Sequence, residues 1–235
     1  MSGQLPLALR WPAHQRLDSF VEGSNRVAID LLRAVALGTD ASWPLLSGPP
    51  GSGRTHLLVA TCAAASAARR SAQYLSLATL RAPRAEAIRG LGGSDLLAID
   101  DLDAIVGERE SEHALFDLYN RCRAENTALV FAAGAPPAQL GIGLPDLLSR
   151  LSACTQIALK PLEESARREL LRERARLRGI ELDDGALDWL FARAKRDLAS
   201  LLGVLDRIDR ASLATQRRVT LPFLRRMLGS DDEAS

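Results

Sequence analysis

Short apolar runs alternate with helical stretches over the first two thirds of the chain. A helix is predicted from about Ser24, where apolar residues recur at helical spacing: Val27, Leu31, Leu32 and Val35. Apolar runs at 43–47, 74–80, 96–99 and 128–133 predict strands, and residues 154–159 are a fifth candidate. Strands that alternate with helices favour a parallel sheet covered on both faces. The sequence therefore predicts an α/β core built on a five-stranded parallel sheet.

The strand signal stops after Pro161. Residues 162–179, 184–194 and 197–215 have the spacing of amphipathic helices, and another helix is predicted after Thr220, with Pro222 near its start. We therefore expect four regions: a flexible arm at 1–16, the α/β core at 17–161, an all-helical lid at 162–229 and a disordered acidic tail at 230–235.

Composition narrows the class of protein without assigning a function. The chain has 235 residues and is 47% apolar, enough to bury one substantial core and a small second domain. Its 30 basic and 29 acidic residues nearly cancel, so a direct DNA binder would need a local basic patch. Neither the cysteines nor the histidines have metal-site spacing. The sequence shows neither a secretion signal nor a membrane span, and we expect a cytoplasmic protein with reduced thiols.

Residues 48–55 fit the P-loop pattern at every position but one, where Arg54 replaces lysine. A strand that ends at Ser47 would deliver this glycine-rich loop to a helix N-terminus, where backbone N–H groups bind phosphates and Thr55 can ligate Mg²⁺. The alternative is an ordinary Gly/Pro turn. The predicted nucleotide-binding residues of this segment are Gly48, Pro49, Pro50, Gly51, Ser52, Gly53, Arg54, Thr55 and His56.

Two carboxylates follow the apolar run at 96–99, as in a Walker B element. Asp100 would hold Mg²⁺, and Asp101 could polarise the attacking water. Acidic pairs after apolar runs also occur by chance, but this pair comes one strand after the P-loop.

These residues, together with segments 20–25, 116–121, 143–151, 174–179 and 205–212, resemble the AAA+ module of the bacterial initiator DnaA. They also resemble its homologues of the Hda family, the regulatory inactivators of DnaA, whose P-loop likewise carries arginine. The resemblance covers nearly the whole chain. It implies an AAA+ core followed by a helical lid.

The resemblance also implies roles for residues outside the P-loop. Arg150 corresponds to the arginine finger that acts on the nucleotide of a neighbouring subunit, and Arg196 to the lid arginine that reaches toward the phosphates. Phe116 and Asn120 are the expected contacts with DnaA. The alternative for Arg150 is a surface arginine that caps a helix, in which case Arg121 is the next candidate for the finger.

One segment departs from the family pattern. Where the family places a polar residue before a proline pair, this chain has Gly134 and Ala135 before Pro136. Together with Arg54, whose planar guanidinium is a poor substitute for a compact ammonium, this predicts weak or absent intrinsic hydrolysis. We expect ADP (or ATP) with Mg²⁺ to be held as a structural cofactor. The alternative is a tolerated substitution with ordinary turnover.

Residues 4–9 are similar to the short peptides that dock on the bacterial sliding clamp. A glutamine amide can donate and accept hydrogen bonds, and spaced leucines can fill apolar pockets. The predicted clamp contacts are Gln4, Leu5, Leu7 and Leu9. The alternative is a disordered end that matches by chance.

The resemblance implies a regulator that docks on the DNA polymerase III sliding clamp and supplies Arg150 to ATP-bound DnaA, which prevents re-initiation of replication. Its partners would be DnaA and the clamp, with DNA reached only through the clamp, no membrane, and self-association left open. A helicase-loader-type ATPase is the alternative. A DNA-binding initiator is disfavoured, because the sequence ends soon after the lid and leaves no room for a helix-turn-helix domain.

Overall fold

A computed structural model describes residues 11–12, 15–80, 83–193, 201, 203–205 and 207–208. The chain divides into two compact units, with the division between Pro161 and Leu162. The first unit contains the sheet, and the helices described in the second unit have a core of their own.

Five parallel strands form the sheet of the first unit, in the order β2-β3-β4-β1-β5. Their bounds are β1 Pro44–Ser47, β2 Ala72–Ser76, β3 Leu96–Asp100, β4 Ala128–Ala133 and β5 Thr155–Ala158. The predicted α/β fold with a five-stranded parallel sheet is confirmed. Because β1, β3 and β4 are neighbours, the loops that follow them meet at the carboxyl-terminal edge of the sheet.

The second strand lies earlier than residues 74–80, where the apolar run placed it. β2 pairs with β3 from Ala72 opposite Leu96 to Ser76 opposite Asp100. Because β3 ends at Asp100, residues 78–80 have no strand partner, and the chain bends away although Leu77 is buried. Pairing, rather than apolarity, sets the end of this strand.

Helices cover both faces of the sheet. They are α1 Arg26–Leu37, α2 Arg54–Ala67, α3 Arg84–Arg89, α4 Arg109–Glu125, α5 Pro137–Leu140 and α6 Pro145–Ser152, with 3-10 helices at Leu17–Ser19 and Leu102–Ile105. Alternate strand residues enter opposite cores: Leu45 and Phe131 pack with α3, α4 and α6, whereas Leu46 and Val130 pack with α1 and α2. β1, β3 and β4 are buried on both faces, which explains why they appear in the sequence as continuous apolar runs. β2 is partly buried, and β5 is mostly exposed.

The first helix turns a slightly different face to the core than its apolar spacing predicted. Ile29, Leu32 and Val35 are buried, but Val27 is 79% exposed. Val27 lies in the first turn of α1, and the core-facing stripe begins with Ala28 and Ile29.

The second unit is helical where the structure describes it. It contains α7 Glu164–Arg176 and α8 Asp184–Arg193, and residues 201, 203–205 and 207–208 are also helical. Leu171, Leu187, Leu201, Leu205 and Ile208 form part of its core. The helix predicted at 197–215 lies partly, and the one after Thr220 wholly, outside the described residues. Within the described ranges, every helix is too short or too polar to cross a membrane.

A buried carboxylate joins two loops of the first unit. Glu112, in the first turn of α4, is 2% exposed. It accepts hydrogen bonds from the backbone N–H groups of Gly107 (2.9 Å), Gly143 (3.1 Å) and Leu144 (2.7 Å). Gly143 and Leu144 immediately precede α6, so this side chain fixes the start of the helix that carries Arg150.

Glu112→Ala is expected to destabilise the protein by about 3 kcal/mol, because it leaves buried N–H groups without an acceptor and removes charge-assisted hydrogen bonds. Urea unfolding measures the loss. Glu110→Ala is the matched control, since Glu110 lies on the same helix but is exposed, and its one ion pair among the described residues is with exposed Arg89. Equal losses of stability in the two variants would contradict the role of Glu112 as a buried acceptor that holds the start of α6.

Candidate nucleotide-binding site

The loop between β1 and α2 has the backbone geometry of an anion site. Gly51 and Gly53 have φ values of 80° and 94°, in the left-handed region that favours glycine. A Cβ on Gly48 would lie 2.9 Å from the carbonyl oxygen of Leu159, so the loop also needs glycine there for space. Gly53 at the N-cap of α2 has no side chain to cap the helix, and among the described residues no other side chain bonds the first N–H groups, which suit a ligand.

Two buried polar atoms of this loop have no hydrogen-bond partner among the described residues. They are the hydroxyl oxygen of Ser52, a residue only 4% exposed, and Nη1 of Arg54. Buried polar groups are rarely left unpaired unless a ligand satisfies them. A donor-rich loop with an orphaned hydroxyl and an orphaned guanidinium nitrogen fits the phosphates of a nucleotide.

Asp100, at the end of β3, lies directly beside the P-loop. Its carboxylate accepts hydrogen bonds from Thr55 Oγ1 (2.6 Å) and from the Tyr74 hydroxyl (3.0 Å). Burial raises the pKa of Asp100, and the nearby Asp101 carboxylate adds to that increase, while the Thr55 and Tyr74 hydrogen bonds oppose it. Thr55 and Asp100 together present hard oxygen donors, the kind that Mg²⁺ prefers.

Asp101 has a different environment from its neighbour. Its backbone is left-handed, with φ 59° and ψ 49°, and its carboxylate accepts a hydrogen bond of 2.7 Å from Ser76 Oγ. One carboxylate oxygen is therefore engaged by β2. The structure brings Asp101 to the carboxyl-terminal edge of the sheet, and its other carboxylate oxygen makes no hydrogen bond to the described residues.

The space beside Gly134 is occupied by a side chain that sequence reasoning missed. The Gly134 N–H donates to Asp103 Oδ2 at 2.8 Å, and a Cβ on Gly134 would lie 2.8 Å from Asp103 Oδ1. Asp103 belongs to the 3-10 helix after β3, and reaches Gly134 because β3 and β4 are adjacent strands. Residues 133–135 themselves offer no polar side chain, but the Asp103 carboxylate, from the loop after β3, lies at this position.

The segment before α1 covers the P-loop. The Phe20 ring lies so close to Gly53 that an added Cβ would be 2.4 Å from the ring. His56, at the start of α2, packs edge-on against Phe20 with 5.3 Å between ring centroids, and its Nε2 lies 3.1 Å from the carbonyl oxygen of Arg16. In this structure, His56 thus contacts the N-terminal segment. Trp11, within the predicted arm, donates a 2.9 Å hydrogen bond to Ser66 of α2.

Arg150 lies at the opposite edge of the sheet. Its guanidinium is 5.9 Å from the centroid of the Tyr119 ring, and Tyr119 packs edge-on against Trp43 at 4.6 Å. Trp43 immediately precedes β1, whereas the P-loop follows that strand. The strand therefore separates Arg150 from the P-loop of its own chain, and the arginine side chain is exposed.

The remaining predicted residues are placed as follows. Phe116 is partly buried against the core beneath α4, and Asn120 is exposed on the same helix. The predicted lid arginine Arg196 and the clamp residues Gln4, Leu5, Leu7 and Leu9 lie outside the described residues.

Comparison with known families decides what kind of module this is. Residues 13–158 match the family model of the bacterial DnaA ATPase domain, and residues 164–228 match that of the Hda lid domain. The chain belongs to the Hda-type, DnaA-homologous AAA+ proteins. An Hda-type protein is a DnaA-related replication regulator.

Solved structures show the same fold around the site of this Hda-type protein. Domain III of the Thermotoga maritima replication initiation protein DnaA superposes with a TM-score of 0.77 at 21% identity, over 94% of this chain and 98% of that chain. AMPPCP-bound DnaA from Aquifex aeolicus gives 0.68 at 22% identity, over 84% of this chain and 65% of that one. The Thermotoga maritima RuvB branch migration motor gives 0.65 at 18% identity, over 94% and 72%.

Thr55→Ala in this Hda-type protein is expected to weaken Mg²⁺-dependent nucleotide binding at least about tenfold, because it removes one oxygen ligand and the hydrogen bond that orients Asp100. Titration calorimetry with ADP, with and without Mg²⁺, measures the change. Thr61→Ala on the same helix is the control, since Thr61 is bonded only to the carbonyl oxygen of Leu57. An unchanged affinity for ADP with Mg²⁺ would show that the loop is not the site.

Proposed function

We propose that this protein inactivates DnaA by supplying Arg150 to the ATP-binding site of DnaA, while ADP and Mg²⁺ occupy its own P-loop. The supplied guanidinium would stabilise charge on the transferring phosphate and so stimulate hydrolysis of DnaA-bound ATP. The observation that carries the proposal is the position of Arg150, exposed at the sheet edge opposite its own P-loop.

The surroundings of Arg150 support this role. Arg150 lies in the last turn of α6, and the structure shows neither a hydrogen bond nor an ion pair for its guanidinium among the described residues. The aromatic pair of Tyr119 and Trp43 supports it from one side only. A guanidinium held in place with its donors unused is suited to bind the phosphate of another molecule.

The other candidate finger has a structural use. Arg121 donates hydrogen bonds from Nη2 to the carbonyl oxygens of Leu91 and Arg89 at the end of α3. Its guanidinium thus satisfies the carboxyl end of that helix. Arg150 is the better candidate, because binding a phosphate would not require it to give up such contacts.

A slow intrinsic ATPase is consistent with the geometry of the P-loop side. Residues 133–135 carry no polar side chain that could orient water. When bound, Mg²⁺ would neutralise phosphate charge at Thr55 and Asp100. We propose that the nucleotide stabilises the module and is hydrolysed slowly.

A self-hydrolysing ATPase of the helicase-loader type is the second candidate. The observation in its favour is the 2.6 Å contact between Thr55 and Asp100, which is what a functional magnesium site requires. The two functions differ in whose ATP is consumed.

A reconstituted assay separates the two candidates. ATP-loaded DnaA is mixed with this protein and with sliding clamp loaded on DNA, and conversion of DnaA-bound ATP to ADP is followed. We expect fast conversion with all components present, and little turnover by this protein alone. Fast turnover by this protein alone, with no effect on DnaA, would establish the helicase-loader type instead.

The clamp would bring this protein to replicating DNA through residues 4–9. The nearly balanced charge of the chain supports indirect contact, because it gives no general attraction to the DNA backbone. We propose that association with the nucleoid depends on this peptide.

A further inference from the structure

The Asp103 carboxylate, the Gly134 backbone and the Arg54 guanidinium lie close together beside the P-loop. The Asp103 carboxylate is bonded to the N–H of Gly134, and a Cβ placed on Gly134 would lie 2.8 Å from Asp103 Oδ1 and 3.5 Å from Arg54 Nη1. The Gly48 N–H donates to the Ala133 carbonyl oxygen at 3.3 Å, which joins the P-loop to the end of β4. The carboxylate of Asp103 and the guanidinium of Arg54 thus both lie within a few ångströms of Gly134.

One nitrogen of the Arg54 guanidinium is available to bind a ligand. Its Nη1 is buried and makes no hydrogen bond to the described residues, although the Asp103 carboxylate is close. A guanidinium stays charged, so both a bound phosphate and this carboxylate compete for the same cation. The carboxylate is held in place by the backbone of Gly134, which has no side chain to exclude it.

A fixed negative charge beside the phosphate site affects nucleotides unequally. A nucleoside triphosphate has one more phosphate group than a diphosphate and carries more negative charge. Repulsion by a nearby carboxylate grows with the charge of the ligand. Asp103 is exposed, so water and salt screen part of this repulsion. The position of Asp103 therefore opposes a triphosphate more strongly than a diphosphate.

We infer that Asp103 is a specificity-determining residue that makes this site prefer a nucleoside diphosphate over a triphosphate. The inference rests on the proposed function in one respect, namely that the P-loop holds a nucleotide. It adds the reason why a diphosphate would be retained: Asp103 places a negative charge beside Gly134 and Arg54, next to the P-loop.

The test is titration calorimetry of the full-length protein with ADP and with the non-hydrolysable triphosphate AMPPCP, both with Mg²⁺. Asp103→Asn removes the charge and keeps an acceptor for the Gly134 N–H. We expect the affinity for AMPPCP to rise about three- to fivefold and the affinity for ADP to change much less. Asp117→Asn, which removes an exposed carboxylate from α4, is the control and should leave both affinities unchanged.

The outcomes distinguish this inference from the proposed function. If wild-type protein binds both nucleotides and Asp103→Asn leaves their affinity ratio unchanged, the specificity role is wrong and the nucleotide site stands. An equal shift of the ratio in Asp117→Asn would also overturn it, since the effect would then be one of overall charge. Wild-type protein that binds neither nucleotide would overturn the nucleotide site itself.

Discussion

Arg150→Ala is expected to lower the stimulation of DnaA-bound ATP hydrolysis by about 10³-fold, the usual effect of removing an arginine finger. Folding and the protein's own nucleotide binding should be unchanged, because Arg150 is exposed and lies across the sheet from its own P-loop. The measurement is the rate at which DnaA-bound ATP becomes ADP on clamp-loaded DNA. Arg150→Lys should recover little, because an ammonium lacks the planar fork of donors.

Arg123→Ala is a closely matched control for this experiment. Arg123 is also exposed, and its guanidinium lies 5.7 Å from the centroid of the Trp43 ring, on the same aromatic pair. Both changes remove one positive charge and one cation–π contact. A wild-type rate with Arg150→Ala, or an equal loss with Arg123→Ala, would contradict the finger assignment.

Gln4→Ala combined with Leu7→Ala is expected to abolish binding to the sliding clamp. The first change removes an amide that can donate and accept, and the second removes an apolar anchor; a short peptide has few other contacts to compensate. Surface plasmon resonance with immobilised clamp measures the loss. The melting temperature and the affinity for ADP should remain at wild-type values.

Ser2→Ala combined with Gly3→Ala alters the same segment outside the clamp-binding peptide and should bind the clamp normally. Residues 1–10 lie outside the described part of the structure, so this prediction rests on the sequence and the family resemblance. Wild-type clamp affinity in the Gln4 and Leu7 variant would remove the docking role. The Arg150 prediction could then still be tested with DnaA alone.

The fold could be predicted from the sequence because its central strands, β3, β4 and β1, are buried on both faces. Such strands appear as uninterrupted apolar runs, and the bounds predicted for β4 agree with the structure at both ends. The prediction for β2 was displaced because the end of a strand depends on its partner: β3 stops at Asp100, and nothing within residues 74–80 indicates this. Val27 is a similar case in a helix. Its apolar spacing predicts that it faces the core, but it lies in the first turn of α1 and is exposed.

The candidate site was predictable where it is contiguous in sequence. The P-loop and the acidic pair after β3 are local patterns, and the structure places Thr55 beside Asp100. Asp103 and Glu112 were missed because their importance depends on contacts across the fold. Glu112 looks like an ordinary acidic residue in a first helical turn, and only the packing of α4 beside the loop before α6 makes it a buried acceptor.

The buried position of Asp100 links the nucleotide site to the stability of the whole molecule. Because the folded-state pKa of this carboxyl is raised, folding at neutral pH requires a charge to leave water. The stability linked to this group is fully present below the ordinary carboxyl pKa and is lost as the pH rises through the higher folded-state pKa. At neutral pH the ionised Asp100 carboxylate therefore lowers the free energy of unfolding, so a residue that suits the nucleotide site is unfavourable for the stability of the fold.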